Sequence, residues 1–100
     1  MAVKVSTSGD TTRVSLAGDL DFSAQDTLKR AIEQAVSTQA SEVVVDMEST
    51  TFIDSAVIRL LLKLRETAAR NGKSMVIVNC SEYIHEIFSI GGFDQIFDIR

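Results

Sequence analysis

The chain has 100 residues, 45% of them apolar and 24% charged, and a net charge of −4. Length and balance of this kind specify one soluble globular domain over residues 1–100 and exclude a disordered or fibrous chain. The negative charge repels nucleic-acid phosphates and anionic lipid, so neither is an expected partner, and one cysteine (Cys80) with one histidine (His85) offers no disulfide and too few ligands for a metal.

Val3 and Val5 alternate with polar residues, which predicts a half-buried strand from the start of the chain. No signal-peptide core precedes it, and no apolar run reaches the ~20 residues that span a bilayer. A reducing, cytoplasmic location is therefore expected. Gly9-Asp10 is a turn signal, and Thr12, Val14 and Leu16 then share one side of a second strand, so a hairpin is predicted that ends at Gly18. Ser23 is placed to cap the next helix, with Asp26 in its first turn. Leu28, Ala31, Ile32, Ala35 and Val36 follow at the spacing of one apolar helix face, which fades near Thr38.

Val43-Val44-Val45 is apolar without alternation and wholly β-branched. Such a run suits a central strand with neighbours on both sides. Asp46 to Thr51 reads as a polar loop. A long helical pattern begins at Asp54-Ser55 and stops at Asn71-Gly72, a C-terminal signal. Lys73 to Val78 predicts another buried strand. Ser81 caps a short helix carrying Ile84, Ile87 and Phe88, Gly91-Gly92 ends it, and Ile96, Phe97 and Ile99 predict a last short strand. The expected class is α/β, in the order β-β-α-β-α-β-α-β. Its sheet is mixed but mostly parallel, with right-handed crossovers and the first strand antiparallel at an edge.

At 100° per residue, Val57, Leu60, Leu61, Leu64 and Ala68 form the core face of the long helix. Ile58, Leu62 and Ala69 form a second stripe, displaced sideways, with Arg65 beside it. That stripe packs on a neighbouring helix or serves a partner, since apolar residues beside arginines are a usual interface composition. At the helix start, either Asp54 or Ser55 can be the N-cap. A Ser there is also reachable by another protein's active site. A phosphate on it would meet free backbone N–H groups and add about −1.5 to −2 charge, enough to disturb an interface. Arg59, four residues on, shares a helix face with Ser55 and can bond such a phosphate.

Catalysis is not expected. Ile53-Asp54-Ser55-Ala56-Val57 lacks the glycines of a hydrolase elbow, and no Gly-rich phosphate loop precedes a helix. Asp19 and Asp21 lack a third ligand for a metal. Neither an enzyme nor a cofactor is implied.

Three stretches together resemble the anti-sigma factor antagonists, stand-alone members of the STAS domain family, from about Arg13 to Asp98. Gly18-Asp19-Leu20-Asp21 is similar to the family's G-E-L-D turn after the second strand. Phe52-Ile53-Asp54-Ser55 is similar to its phosphorylation motif. Asn71-Gly72, the following strand and short helix, and Ser89-Ile90-Gly91-Gly92-Phe93 resemble its C-terminal half. The resemblance implies a partner switch. The unphosphorylated chain binds an anti-sigma factor that is also a serine kinase of the histidine-kinase-like ATPase type, and so frees a sigma factor or another output protein. Phosphorylation of Ser55 ends binding, and a serine phosphatase resets it. Asp54 would orient the acceptor, with Asp21 near it, and Ser55, Asp21, Ile58, Arg59 and Leu62 would meet the partner. Two departures stand out: Asp19 replaces the usual Glu, and Val57 and Arg59 occupy positions where the family usually has glycine, which implies a reshaped partner surface. The other reading is a STAS-type regulatory or scaffold subunit of a different complex, such as a transporter ATPase or a stress-signalling assembly.

Overall fold

A computed structural model describes residues 1–100. Strands β1 (Ala2–Ser8) and β2 (Thr11–Leu20) form the expected antiparallel hairpin. Its two-residue loop begins with Gly9 at φ +58°, a conformation that glycine adopts without a Cβ penalty. Strand β3 (Glu42–Ile53) runs parallel to β2 on one side and to β4 (Ser74–Val78) on the other, giving the order β1-β2-β3-β4. Helices α1 (Gln25–Val36), α2 (Ser55–Arg70) and α3 (Glu82–Ile90) complete a mixed four-stranded α/β domain.

Val43, Val44 and Val45 lie in β3, and all three are buried. Val43 and Val45 join one core with Val14, Leu16, Ile77, and the apolar sides of the helices, including Leu28, Leu61, Leu64 and Phe88. Val44 points to the other sheet face, between Arg13 and Val76 in register.

Asp46 to Thr51 is not a loop. β3 continues through it to Ile53, with Met47 and Thr50 buried and the Thr50 hydroxyl donating to the Leu16 carbonyl at 2.8 Å. The β2–β3 register shifts between Ser15 and Ala17 and again between Gly18 and Asp19. Such bulges break the period-two alternation by which a strand is recognised in sequence. The final strand reduces to one parallel bridge, Ile77 with Ile99. Phe97 is instead drawn into the core against Phe88, ring centroids 5.6 Å apart at 64°. Aromatic burial holds the tail together with a short ladder, in which the Ile77 amide donates to the Asp98 carbonyl and the Arg100 amide to the Ile77 carbonyl, each at 2.8 Å.

On the second sheet face, Arg13 pairs with Asp46 at 2.7 Å, and the Glu48 amide and Asn79 side chain also donate to Asp46. Burial opposes ionisation of Asp46, but these bonds and the Arg13 charge outweigh it and hold its carboxyl below the usual value of 3.8. The folded state therefore binds fewer protons at this site than the unfolded chain. The stabilisation is complete above about pH 4 and is lost as pH falls through the lowered folded pKa. Asp46→Asn is expected to cost about 1 kcal/mol at neutral pH. The gap to wild type, measured by urea melts, should narrow as the pH is lowered towards about 3.

Candidate functional site

The site forms where β2 and β3 end side by side. Leu20 pairs with Ile53, and the Asp54 amide donates to the Leu20 carbonyl at 3.2 Å. The chain after β2 and the start of α2 are thereby held together. Asp54 is extended and is the N-cap of α2, its carboxylate accepting from the Val57 amide at 3.0 Å. This decides between the two candidate caps. With Asp54 as the cap, Ser55 is the first helical residue, and it is exposed.

Asp21, on the adjoining turn, is also exposed. It, and not Ser23, is the capping residue there: it accepts from the Ser23 amide at 2.9 Å and from the Ser23 hydroxyl, at the head of a 3-10 turn (Phe22–Ala24) that leads into α1. The Ser23 hydroxyl, and then its amide, hold the Asp21 carboxyl below the ordinary range. Asp21 is thus a fixed negative charge beside the Ser55 segment. Asp19 accepts a hydrogen bond from the Thr51 hydroxyl and so ties β2 to β3.

Ser55, Ile58, Arg59 and Leu62 line one hollow of about 180 Å³ together with Phe93. The structure brings these four residues together as the helical spacing requires. Ile58, however, is only 6% exposed and belongs to the core. The buried arc of α2 is therefore wider than one stripe and reaches the flank that Phe93 also lines. Leu62 is half-buried, and Arg59 is exposed. Val57, at a position where the family usually has glycine, is wholly buried and enlarges the core.

Phe93 is the lining residue of the hollow that sequence reasoning did not place there: it entered only as part of the Ser89–Phe93 resemblance, after a Gly91-Gly92 pair read as the end of α3. Gly92, at φ +77°, turns the chain, and the Phe93 ring lies against Gly91. Around the same end of the molecule Phe22 and Ile90 stand 72% and 80% exposed, large apolar side chains left in solvent. Cys80 lies elsewhere, its sulfur 3.9 Å from that of Met47, and burial raises its thiol to about 11. That leaves little thiolate for reaction. No cluster of three or more His, Cys, Asp or Glu side chains is arranged to hold a metal, and no helix is long and apolar enough to cross a membrane.

Comparison with known proteins agrees with this architecture. Residues 3–99 match the family model described as Mlab, STAS domain. A STAS-domain containing protein of Pseudomonas aeruginosa is 31% identical over 94 residues, covering 94% of this chain and 92% of that protein. An anti-sigma factor antagonist from Mycobacterium paratuberculosis has the same fold, with a TM-score of 0.87 at 19% identity over 98% of this chain and 83% of its own. The anti-sigma factor antagonist SpoIIAA in its unphosphorylated form matches with a TM-score of 0.76, also at 19% identity, over 99% of this chain and 87% of its own. With a family model matched over residues 3–99 and a relative 31% identical over nearly the whole length, the chain belongs to the STAS domain family.

Proposed function

We propose that this chain is a non-enzymatic, cytoplasmic partner switch controlled at Ser55. The unphosphorylated form binds an anti-sigma factor that is also a serine kinase of the histidine-kinase-like ATPase type, and this frees a sigma factor or another output protein. The kinase moves the γ-phosphoryl group of ATP to the Ser55 hydroxyl, the complex separates, and a serine phosphatase restores the hydroxyl. The observation that carries this reading is the division of labour at the start of α2. Asp54 takes the capping role, which leaves the Ser55 hydroxyl exposed at the rim of an apolar hollow.

Charge makes the switch effective. A phosphate at Ser55 adds about −1.5 to −2 charge beside Asp21 and Asp54, and any interface covering the hollow must then desolvate it. Arg59, on the same helix face, is the side chain placed to answer that charge within the chain. SpoIIAA, an anti-sigma factor antagonist of the same fold described in an unphosphorylated form, supports the reading.

Intact mass after incubation with candidate kinases and ATP tests it. A single added phosphate is expected on wild type and none on Ser55→Ala. A phosphate mapped to another residue, or none from a kinase that binds the chain, sinks the proposal. Arg59 in place of the family's usual glycine favours the second reading, a regulatory subunit of another complex, and binding without phosphorylation is the result that would support it.

A further inference from the structure

The hollow on α2 has properties that restrict what fills it. At about 180 Å³ it is smaller than the ~300 Å³ at which small-molecule sites begin. Its floor is apolar, from Ile58, Leu62 and Phe93, and its polar rim is Ser55 and Arg59. One large aliphatic or aromatic side chain matches that size and lining. The Phe93 wall depends on Gly91. A Cβ there would lie 2.5 Å from Cε2 and 2.6 Å from Cδ2 of the Phe93 ring, although the backbone, at φ −82°, would accept any residue. Glycine is required at this position only to let the ring stand where it does.

Charge narrows the choice further. α2 carries Arg59, Lys63, Arg65 and Arg70 against Glu66 alone, whereas the rest of the chain carries six cations and thirteen anions. The ion pairs of the molecule are Arg13–Asp46 and Arg100–Asp98, so Arg59 has no acidic partner. The neighbouring carboxylates are engaged locally: Asp54 with the Val57 amide, Asp21 with Ser23, Asp94 with the Ser89 hydroxyl. An acidic molecule thus carries a local excess of cations on α2, with an unpaired arginine beside an apolar hollow. Arginine next to an apolar anchor is the composition in which binding energy concentrates.

We propose that the hollow takes one large apolar side chain from a helix of an acidic partner protein, with a carboxylate one turn along that helix meeting Arg59. This rests on the reading of the α2 face as the partner surface, and it assigns the chemistry of the partner's contact.

Three short synthetic amphipathic helices serve as probes: one with a single central Phe and a Glu one turn later, one with Lys in place of that Glu, and one with Ala in place of the Phe. Each is titrated into the unmodified, isotope-labelled full chain, and the backbone amide signals are followed. The Phe/Glu peptide is expected to shift the signals of Ile58, Leu62 and Phe93 selectively. The Lys and Ala peptides should bind on the order of tenfold more weakly. Arg59→Glu should reverse the preference between the Glu and Lys peptides. Gly91→Ala, which displaces the Phe93 ring but leaves Ser55 and Arg59 in place, should weaken the Phe/Glu peptide severalfold. Equal binding of the three peptides, shifts confined to another face, or an unchanged preference in Arg59→Glu overturns the proposal. No kinase takes part, so a failure here is distinct from a failure of Ser55 phosphorylation.

Discussion

Ser55→Asp is expected to weaken binding to the cognate kinase on the order of 10²- to 10³-fold, whereas Ser55→Ala binds like wild type and accepts no phosphate. A new carboxylate at the rim of the hollow joins Asp54 and Asp21. Covering it with a partner desolvates a new charge that also competes for Arg59, a change that commonly costs about 2–5 kcal/mol in an interface. The fold does not oppose the substitution. Ser55 is exposed and makes the first turn of α2, where a negative charge is favourable by ~0.3–1 kcal/mol through the helix dipole. Calorimetry with the purified kinase measures both variants, and their thermal melts check that each is folded. Equal affinity of wild type and Ser55→Asp, with both folded, would remove the charge mechanism.

Ile58→Ala and Leu62→Ala are expected to fail in different ways, although the two residues are one helical turn apart and line the same hollow. Ile58 belongs to the core, so its truncation leaves a cavity and costs about 2–5 kcal/mol of folding stability. In a domain of this size that lowers the melting temperature by roughly 10–30 °C. Leu62 is half-buried on the open side of the hollow. Its truncation should cost little stability and weaken partner binding by about 1–3 kcal/mol. Thermal melts and binding isotherms on the same preparations separate the two effects. If Leu62→Ala instead lowers stability as much as Ile58→Ala and leaves binding unchanged, the hollow is only an imperfection of packing.

The long helix was the most legible part of the chain. Its start at Asp54-Ser55, its end at Asn71-Gly72 and its principal apolar face follow from side-chain spacing and capping chemistry, and the structure has all three. The valines of β3 were legible for the same reason, since a run buried on both sides needs no alternation. What escaped notice depends on contacts distant in sequence. The polar half of β3 is paired to β2 through two register shifts, and no local pattern announces them. Ile58 is buried on the flank of α2 that Phe93 also lines, and a helical wheel does not show how many elements surround it. Ser23 looked like a cap in sequence, but Asp21 takes that role at the 3-10 turn. Phe93 reaches the hollow through a left-handed turn at Gly92 and a ring laid on Gly91, which a pair of glycines alone does not reveal. Ser55 at the start of α2 was visible in the sequence, whereas one wall of the hollow beside it was not.

The bond from the Asp54 amide to the Leu20 carbonyl also bears, under the proposed switch, on when the chain would become a substrate. Leu20 and Ile53 meet through a parallel pairing across a long stretch of chain, a kind of contact that forms slowly because loop closure comes before any gain. The Phe93 wall arrives still later in synthesis. A nascent or misfolded chain therefore carries Ser55 without the capped turn, the neighbouring acid or the hollow. Under the proposed switch, a kinase that reads this surface would phosphorylate finished molecules only, and the level of modified protein would then report on completed folding as well as on signalling.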